Sequence, residues 1–401
     1  MSNSESKKLY LKEVHLNGYK SIKDVEIDFQ PGLNIIIGKN AAGKTIFLKF
    51  LNNTLNFDFE SFNNFKSEIV LINTNRITIE VDRNISLDGF FDYSDLSNVN
   101  TKLTINDEIF EAKKVEVYAS NEELRKNSVF YNCNLLIHGI PENYPIVKSS
   151  FSFRIENKLF IDDLSNIVRD FELPYFVRCI AIDLMSKANN FNKNNVEEIK
   201  NSLIDFINQE MPINEYLKRY SPIEEVRFSQ NFNVFFDTEK EILYIENLFL
   251  EFKIEGAWHP FSNLSDGTQR LFFIISEVLD NRFKGSPRPV SYGLYIDTDK
   301  IGRIILIEEP ELGIHPHQYH QLLEFLKIQS ENSQIIISTH SPQSLDILDE
   351  DEFNRIIIAY SNNGKEGTKM RHLNDAELLK AKQYIKEDYL SDYWLYSDLE
   401  Q

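Results

Sequence analysis

The sequence predicts an α/β fold built around a parallel sheet, and two stretches support that prediction. In the first, the apolar run PGLNIIIG at residues 31–38 leads through a glycine-containing loop into GKTIFLKFLN, whose apolar residues recur at helical spacing. In the second, the apolar runs RIILI and QIIIS enclose the helical pattern HQYHQLLEFLKI. A crossover of this length joins parallel strands, whereas antiparallel strands need only a short turn. We therefore expect a parallel-core sheet flanked by helices.

We assign residues 1–160 to an N-terminal half that also contains a β-rich lobe. The stretch VHLNGYKSIKDVEIDF predicts a hairpin with Gly18 near its turn. From about residue 68 to residue 160, short alternating runs such as SEIVLI, ITIEVD, KLTI and KVEVYA are separated by Asn, Asp and Gly. This alternation is typical of strands with one buried face, and it predicts the lobe.

We predict a helical insert at residues 161–225 and a C-terminal half at residues 226–401. In the insert, Asn195 is a candidate helix cap, with Glu198 three residues later. One face of that helix is formed by the apolar residues Val196, Ile199, Leu203 and Phe206. The strand patterns FNVFFD and ILYIENLFLEFKIEG follow, and no heptad pattern is sustained, so we expect no long coiled-coil arm.

Composition limits the class of protein. The chain has 401 residues, of which 42% are hydrophobic, enough to bury one large core or two modest ones. Its 62 acidic and 43 basic residues give a formal net charge of −19, so the surface as a whole repels the phosphate backbone of nucleic acids. Direct DNA binding would need a local basic patch and is not favoured.

Cysteine usage and hydropathy bear on the compartment. Cys133 and Cys179 have no CxxC or metal-binding spacing, which argues against a disulfide framework and fits a reducing compartment. No apolar run approaches the roughly 20 residues of a transmembrane helix. We expect a soluble, cytoplasmic protein with no membrane partner.

The segment GKNAAGKT at residues 38–45 fits the phosphate-loop pattern GxxxxGK[ST], and it lies between a predicted strand and a predicted helix. Lys44 is expected to place its charge against the β- and γ-phosphates of ATP, and Thr45 to offer its hydroxyl to Mg²⁺. The residues expected to bind the nucleotide are Gly38, Lys39, Asn40, Ala41, Ala42, Gly43, Lys44 and Thr45.

Two further strand ends carry candidate catalytic residues. In RIILIEEPELGIHP, Glu308 ends the strand and is expected to bind Mg²⁺, and Glu309 is expected to orient and deprotonate the attacking water. In SQIIISTHSPQSLD, His340 ends the second strand and is expected to contact the γ-phosphate. Because parallel strands end at the same edge of a sheet, these side chains should lie beside the phosphate loop.

A second candidate anion site lies more than two hundred residues after the first. In FSNLSDGTQRLFFII, apolar residues at helical spacing place Ser265 and Gly267 at the start of a helix, with its first N–H groups free. A second phosphate site in a chain that already has a complete one needs a separate explanation.

These four motifs, in their order along the chain, resemble the ABC-type ATPase heads of the SMC, RecF and OLD class. The resemblance implies that two chains close head to head around two ATP molecules, so that Ser265 and Gly267 act in trans on ATP held by another copy. The wording IEEPELGIHPHQ is closest to the OLD-like and RecF-like branch. The resemblance covers residues 10–52 and 250–345 well, and it does not cover the middle of the chain.

The resemblance also implies a function. We expect a slow ATPase that works as a molecular switch, forms a homodimer or higher oligomer, and controls a separately encoded nuclease or toxin in anti-phage defence. A RecF-like DNA repair ATPase is the first alternative. A scaffold whose ATP sites only hold an oligomer together is the second.

Three departures from the family pattern qualify this expectation. Members of the family place a glutamine after a strand of the first lobe, but no glutamine occurs between Gln30 and Gln209. The coiled coils of the SMC branch are missing. Only 59 residues follow Pro342, too few for the TOPRIM nuclease domain of OLD proteins.

Other polar residues have a structural interpretation that we prefer. Asp297 and Asp299 have DxD spacing, but a solvated loop is favoured over a metal site. Zinc binding by His315, His317 and His320 is disfavoured because only the last two share a helical face.

Two further features stay open. Lys20 occupies a place where family members often have a basic residue near nucleotide or DNA. For the aromatic residues of the tail, namely Tyr389, Tyr393, Trp394 and Tyr396, we favour packing onto the ATPase body over docking of a partner.

Overall fold

The computed structural model describes residues 9–56, 64–73, 75–83, 99–106, 108–111, 131–137, 151–156, 159–160, 196–205, 207, 213–239, 242–279, 288–290, 294–296, 302–361, 367–397 and 399. The chain divides into two units. The first consists of Met1–His138, Ser286–Glu311 and Leu326–Gln401, and the second of Gly139–Gly285 and Leu312–Phe325. The domain limits drawn from the sequence stay a prediction.

In the described residues the strands are β1 Tyr10–Tyr19, β2 Ile22–Asp28, β3 Leu33–Ile37, β4 Phe65–Ile72, β5 Arg76–Arg83, β6 Val99–Ile105, β7 Glu108–Glu111, β8 Tyr131–Leu136, β9 Phe151–Glu156, β10 Leu159–Phe160, β11 Glu225–Phe228, β12 Asn233–Asp237, β13 Ile242–Leu248, β14 Leu250–Ile254, β15 Ala257–Pro260, β16 Arg288–Val290, β17 Leu294–Ile296, β18 Gly302–Glu308, β19 Gln334–Thr339, β20 Ile356–Ser361 and β21 Thr368–Arg371. The helices are α1 Lys44–Leu55, α2 Val196–Asp205, α3 Ile213–Tyr220, α4 Asp266–Val278, α5 Pro316–Gln329, α6 Asp375–Tyr384 and α7 Leu390–Tyr396, with short 3-10 segments at Phe261–Asn263, Pro342–Ile347 and Glu350–Arg355.

A twelve-stranded sheet organises the described part of the first unit, in the order β7-β6-β5-β4-β1-β2-β21-β20-β3-β19-β18-β8. Its last five strands, from β20 to β8, are parallel to one another, whereas β20 and β21 pair antiparallel. The six first strands, from β7 to β2, pair antiparallel. The predicted parallel core is therefore confirmed. Of the described strands in the predicted β-rich lobe, β4 to β8 belong to this sheet, whereas β9 and β10 belong to a separate one.

Side-chain patterns explain why the two halves of this sheet differ. All residues of β3 and β19 are buried, as expected for parallel strands covered on both faces. In β5 buried and less buried residues alternate, as in a sheet with one buried face. The predicted hairpin is confirmed as β1 paired with β2, with Gly18 at a φ of +83°.

Gln334, the first residue of β19, holds the parallel core to the strands beside it. Its Nε2 donates to the backbone oxygens of Leu11 at 2.9 Å and Gln30 at 3.0 Å, and its Oε1 accepts from the Leu11 N–H at 2.7 Å. This contact lies at the opposite end of β19 from His340.

The described part of the second unit contains the sheets β10-β9-β13-β12 and β11-β14-β15, with α2, α3 and α4. Ile199 and Leu203 on α2 are buried, as predicted, whereas Asn195 and Phe206 lie outside the described residues. Phe272 on α4 packs edge to face on Phe252 of β14, with ring centroids 4.8 Å apart. This packing anchors the helix that begins after Ser265.

Some predictions fall on residues that the structure does not describe. These are the strand KVEVYA, most of the helical insert, Asp297, Asp299 and Cys179. Cys133 is buried in the core, and burial raises the pKa of its thiol. None of the helices in the described ranges is long and apolar enough to span a lipid bilayer.

Candidate functional site

The phosphate loop connects β3 to α1 and has a shape that depends on its glycines. A Cβ at Gly38 would lie 2.0 Å from the carbonyl oxygen of Ala359, so no side chain fits there. Gly43 has a φ of +92°, and a Cβ on it would meet Thr368. Glycine tolerates both conditions, whereas other residues do not. The neighbours Ala359 and Thr368 belong to β20 and β21, which the sequence did not connect with the loop.

Lys44 is the first residue of α1, and its ammonium lies inside the loop. Its Nζ donates to the backbone oxygens of Gly38 at 2.6 Å and Lys39 at 3.0 Å, and the residue is only 4% exposed. Gly43 precedes α1 and offers its N–H groups no side-chain acceptor. A buried cation beside uncapped N–H groups suits a phosphate, so the loop fits the triphosphate of ATP.

Thr45 and Glu308 are in direct contact, although they are far apart in sequence. Thr45 Oγ1 donates a hydrogen bond to Glu308 Oε1 at the end of β18. A hydroxyl and a carboxylate beside a phosphate loop are the oxygen ligands that Mg²⁺ accepts in nucleotide sites. The donor set therefore fits Mg²⁺.

Glu309 and His340 follow neighbouring parallel strands, and the structure brings them together. Glu309 Oε1 lies 3.5 Å from His340 Nδ1. The Glu309 N–H donates to the backbone oxygen of Ser338 at 2.7 Å, which extends the pairing of β18 with β19 by one residue. Glu309 has a φ of +43°, a conformation that costs a non-glycine residue roughly 1–3 kcal/mol and that is common at functional sites.

Glu311 is a site residue that the sequence analysis missed. Its Oε1 lies 3.4 Å from His340 Nδ1, about as close as that of Glu309. The only signal in the sequence is the third acid of IEEPE, and nothing in the spacing indicates a partner 29 residues later.

The predicted second anion site lies in the second unit, at the start of α4. Ser265 is its N-cap, and the side chain accepts from the Thr268 N–H at 3.3 Å. The expectation of free N–H groups is therefore wrong at Thr268, because the serine satisfies that N–H itself. Gly267 is buried, and a Cβ on it would lie 2.3 Å from the backbone oxygen of Gly313.

Comparison with known proteins identifies the family. A family model described as "AAA domain, putative AbiEii toxin, Type IV TA system" matches residues 33–346, which is most of the chain. The chain belongs to this family, AAA_21. Its membership and fold support ATPase activity in general, with ATP and Mg²⁺ as the expected cofactors. The predicted class of ABC-type ATPase is confirmed.

Relatives of this AAA_21 protein include two that match most of it. "Retron Vc95 probable ATPase" of Vibrio cholerae serotype O1 biovar El Tor is 23% identical, over 84% of this chain and 71% of the relative. "Septu protein PtuA" of Bacillus thuringiensis is 21% identical, over 83% of this chain and 72% of the relative. "DNA replication and repair protein RecF" of Streptococcus agalactiae serotype Ia is 44% identical, but only over 41 residues, 10% of this chain and 11% of the relative.

Solved structures confirm the expected fold. An SMC head bound to the C-terminal winged-helix domain of ScpA superimposes with a TM-score of 0.54 at 15% identity, covering 92% of this chain and 99% of that one. An SMC head with an extended coiled coil from Pyrococcus furiosus, bound to the C-terminal domain of ScpA, has a TM-score of 0.51 at 15% identity, covering 94% of this chain and 100% of that one. The AAA_21 chain therefore has the ABC-type head fold.

The remaining candidates have local contacts. Helix α5 begins at Pro316, and His320 Nε2 lies 3.7 Å from Glu324 Oε1. Lys20 Nζ lies 5.3 Å from the centroid of the Tyr19 ring. Neither contact tests the role that the sequence suggested.

The aromatic tail divides into two sets. Tyr393 and Trp394 of α7 are each 8% exposed and pack onto the protein, as favoured from the sequence. Tyr389 and Tyr396 are 70% and 83% exposed. Ser391 fixes the helix, since its N–H and its Oγ both donate to the Asp346 carboxylate at 2.8 Å.

Proposed function

We propose that this AAA_21 protein is a slow ATPase that works as a molecular switch in anti-phage defence. Two heads close on two ATP molecules, and the motion changes what a separately encoded nuclease or toxin can do. The observation that carries the ATPase part is the pairing of Thr45 with Glu308 and of Glu309 with His340 beside one phosphate loop.

Five residues of the first unit have separate roles in the proposed hydrolysis of ATP. Lys44 holds the phosphates from inside the loop, and Thr45 and Glu308 hold Mg²⁺, which neutralises charge on the phosphate oxygens. Glu309 accepts a proton from the attacking water, and His340, 3.5 Å away, contacts the γ-phosphate. Phosphoryl transfer depends mainly on such positioning and charge stabilisation.

The trans part of the proposal places Ser265 and Gly267 against ATP held by another copy. Ser265 is exposed at the start of α4, where a phosphate can reach the helix N-terminus. The family resemblance supports the head-to-head arrangement. The likeness to an SMC head bound to a domain of another protein supports a separate partner, and the retron and Septu relatives support a defence role.

A second function, DNA repair, has one observation in its favour. The RecF match is short but 44% identical. ATP-dependent DNA binding that weakens steeply with salt would support it. With a net charge of −19 we expect this binding to be weak.

The test is the solution mass of Glu309→Gln with and without ATP and Mg²⁺. Removing the proton acceptor should trap the closed state, so the mass should double only when ATP is present. Adding Ser265→Arg should abolish the doubling, because the larger side chain would block the trans contact. Multi-angle light scattering measures both masses.

Glu331→Gln is the matched control, because Glu331 is an exposed glutamate in the turn before β19. We expect it to hydrolyse ATP like the wild type and to show no ATP-dependent doubling. A mass of Glu309→Gln that ignores nucleotide would contradict the closing step. ATP hydrolysis by Glu309→Gln at the wild-type rate would contradict its role as the base.

A further inference from the structure

Glu311 contacts the end of β19 through a single carboxylate oxygen. Its Oε1 accepts from Thr339 Oγ1 at 2.6 Å and from the His340 backbone N–H at 3.1 Å. The same oxygen lies 3.4 Å from His340 Nδ1. Glu311 therefore holds both the backbone and the ring of the histidine that faces Glu309.

Thr339 fixes the position of this carboxylate. Its hydroxyl oxygen accepts from the Ser341 N–H at 2.9 Å and lies 3.2 Å from Ser344 Oγ, which donates to it. Because these donors occupy the lone pairs of the hydroxyl, its own proton is directed at Glu311. Hydrogen bonds in such a chain polarise one another. The carboxylate is thus held against β19 by a network rather than by one contact.

Packing alone does not explain a carboxylate at this position. The Glu311 side chain is only 11% exposed, and Oε2 is buried without a hydrogen-bond partner among the residues that the structure describes. Burying a charged group with an unsatisfied oxygen is unfavourable, and an uncharged side chain would fill the turn at a lower cost. The charge at residue 311 therefore calls for a functional reason.

The geometry of the ring supplies that reason. His340 Nδ1 faces Oε1 of Glu309 at 3.5 Å and Oε1 of Glu311 at 3.4 Å. Ionised carboxylates attract hydrogen-bond donors and cations, so the side of the ring that carries Nδ1 is drawn toward both acids. The two acids together favour one orientation of the imidazole.

We propose that Glu311 is the positioning residue of His340: it holds the backbone at the end of β19 and the ring beside Glu309. This inference rests on the role given to His340 in the proposed function. Glu311 acts on hydrolysis only through the histidine, and it takes no part in holding the nucleotide.

The kinetic test compares Glu311→Ala, His340→Ala and the double variant by steady-state ATP hydrolysis. We expect Glu311→Ala to lower kcat about tenfold or more and to change KM for ATP by less than about twofold. The double variant should be no slower than His340→Ala, within about twofold, because a positioning residue has nothing left to position once the ring is gone. Multiplicative losses would overturn the proposal.

Two conservative variants separate positioning from folding. Glu311→Gln keeps an oxygen for Thr339 and the His340 N–H but loses the charge, so its kcat should lie between those of the wild type and Glu311→Ala. Thr339→Val keeps the volume, removes the donor to Glu311, and should lower kcat by a smaller factor. Full activity in both variants would overturn the proposal. This comparison remains informative even if Glu311→Ala fails to fold.

The matched control is Glu324→Ala, which removes a glutamate that also lies beside a histidine, His320, at 3.7 Å on the surface of α5. It should hydrolyse ATP at the wild-type rate. A loss as large as that of Glu311→Ala would show that removal of any glutamate beside a histidine slows the enzyme, and it would overturn the proposal.

A second measurement does not depend on hydrolysis. With ¹⁵N in the histidine rings, the signal of His340 is identified by its loss in His340→Ala. We expect the ring signal of His340 to shift in Glu311→Ala, because the ring loses the carboxylate beside Nδ1. An unchanged ring signal would overturn the proposal.

The two hypotheses fail in different ways. If His340→Ala slows hydrolysis and Glu311→Ala does not, the positioning inference is wrong and the proposed function stands. If His340→Ala hydrolyses ATP at the wild-type rate, the role of the histidine in the proposed function is wrong, and the inference falls with it.

Discussion

The phosphate loop and the segment before α4 both place glycine at a helix start, but they satisfy the first N–H groups differently. At α1 the cap is Gly43, which has no side chain to accept from them. At α4 the cap is Ser265, which accepts from the Thr268 N–H at 3.3 Å. A helix start without its own side-chain acceptor leaves its first N–H groups available to water or to a ligand, whereas a self-capped start has already satisfied one of them. This difference fits a primary nucleotide site at α1 and a secondary contact at α4.

The close contacts of the two glycines also differ. Gly38 in the phosphate loop meets Ala359, and Gly267 after Ser265 meets the oxygen of Gly313 in the turn before α5. The first contact lies where β3 leads into the phosphate loop. The second holds two backbone segments of the same unit together. Both glycines lie in motifs that the sequence connects with phosphate, yet only the first contact shapes the phosphate loop itself.

The largest expected effect is a loss of ATP affinity caused by a substitution at the start of α1. Lys44→Ala removes a buried ammonium that donates at 2.6 and 3.0 Å inside the loop. The loss of one charge-assisted hydrogen bond, about 1.5–3 kcal/mol, should weaken ATP binding about 10- to 100-fold, as measured by isothermal titration calorimetry. Lys49→Ala, which removes an exposed lysine on the same helix, should bind ATP like the wild type. Equal affinity of Lys44→Ala and the wild type would contradict the loop assignment.

A smaller effect, on the free energy of unfolding, is expected from disturbing the close approach of Gly267 to Gly313. Gly267→Ala places a Cβ 2.3 Å from the Gly313 oxygen, and we expect it to lower the free energy of unfolding by about 1–3 kcal/mol in urea titrations. Gly256→Ala is the control in the same unit. Its Cβ would meet nothing within 4 Å, so only its φ of +76° costs free energy, about 1 kcal/mol. If Gly267→Ala is no less stable than this control, the close contact is not important.

The smallest expected effect is the change in the free energy of unfolding when the N-cap of α4 is removed. Ser265→Ala removes the acceptor for the Thr268 N–H and should lower the free energy of unfolding by about 1 kcal/mol. Ser262→Ala, at an exposed serine just before the helix, should change it by less than about 0.5 kcal/mol. Ser265→Thr keeps the hydroxyl and should restore stability. A Ser265→Ala variant as stable as the wild type would show that the cap contributes nothing and would weaken the contrast with α1.

Local sequence was sufficient for the elements around the phosphate loop and for the four paired site residues. Thr45, Glu308, Glu309 and His340 could be placed because parallel strands end at one edge of a sheet and helices begin beside it. The apolar runs of β3, β18 and β19, with a helical crossover between the last two, predicted the parallel core. Ser265 could be placed at a helix start, although its hydroxyl is already used within its own turn.

What the sequence by itself determined, then, is the phosphate loop, the acids and histidine at the strand ends, and the parallel core, because each depends on spacing within a short segment. Only the tertiary structure decided that Ala359 and Thr368 shape the loop and that Glu311 holds His340. These contacts join residues from different strands and turns, and no periodicity along the chain records which side chains meet across a sheet. For the same reason the contact between Gly267 and Gly313 could not be foreseen, since it depends on how two loops approach within the folded second unit.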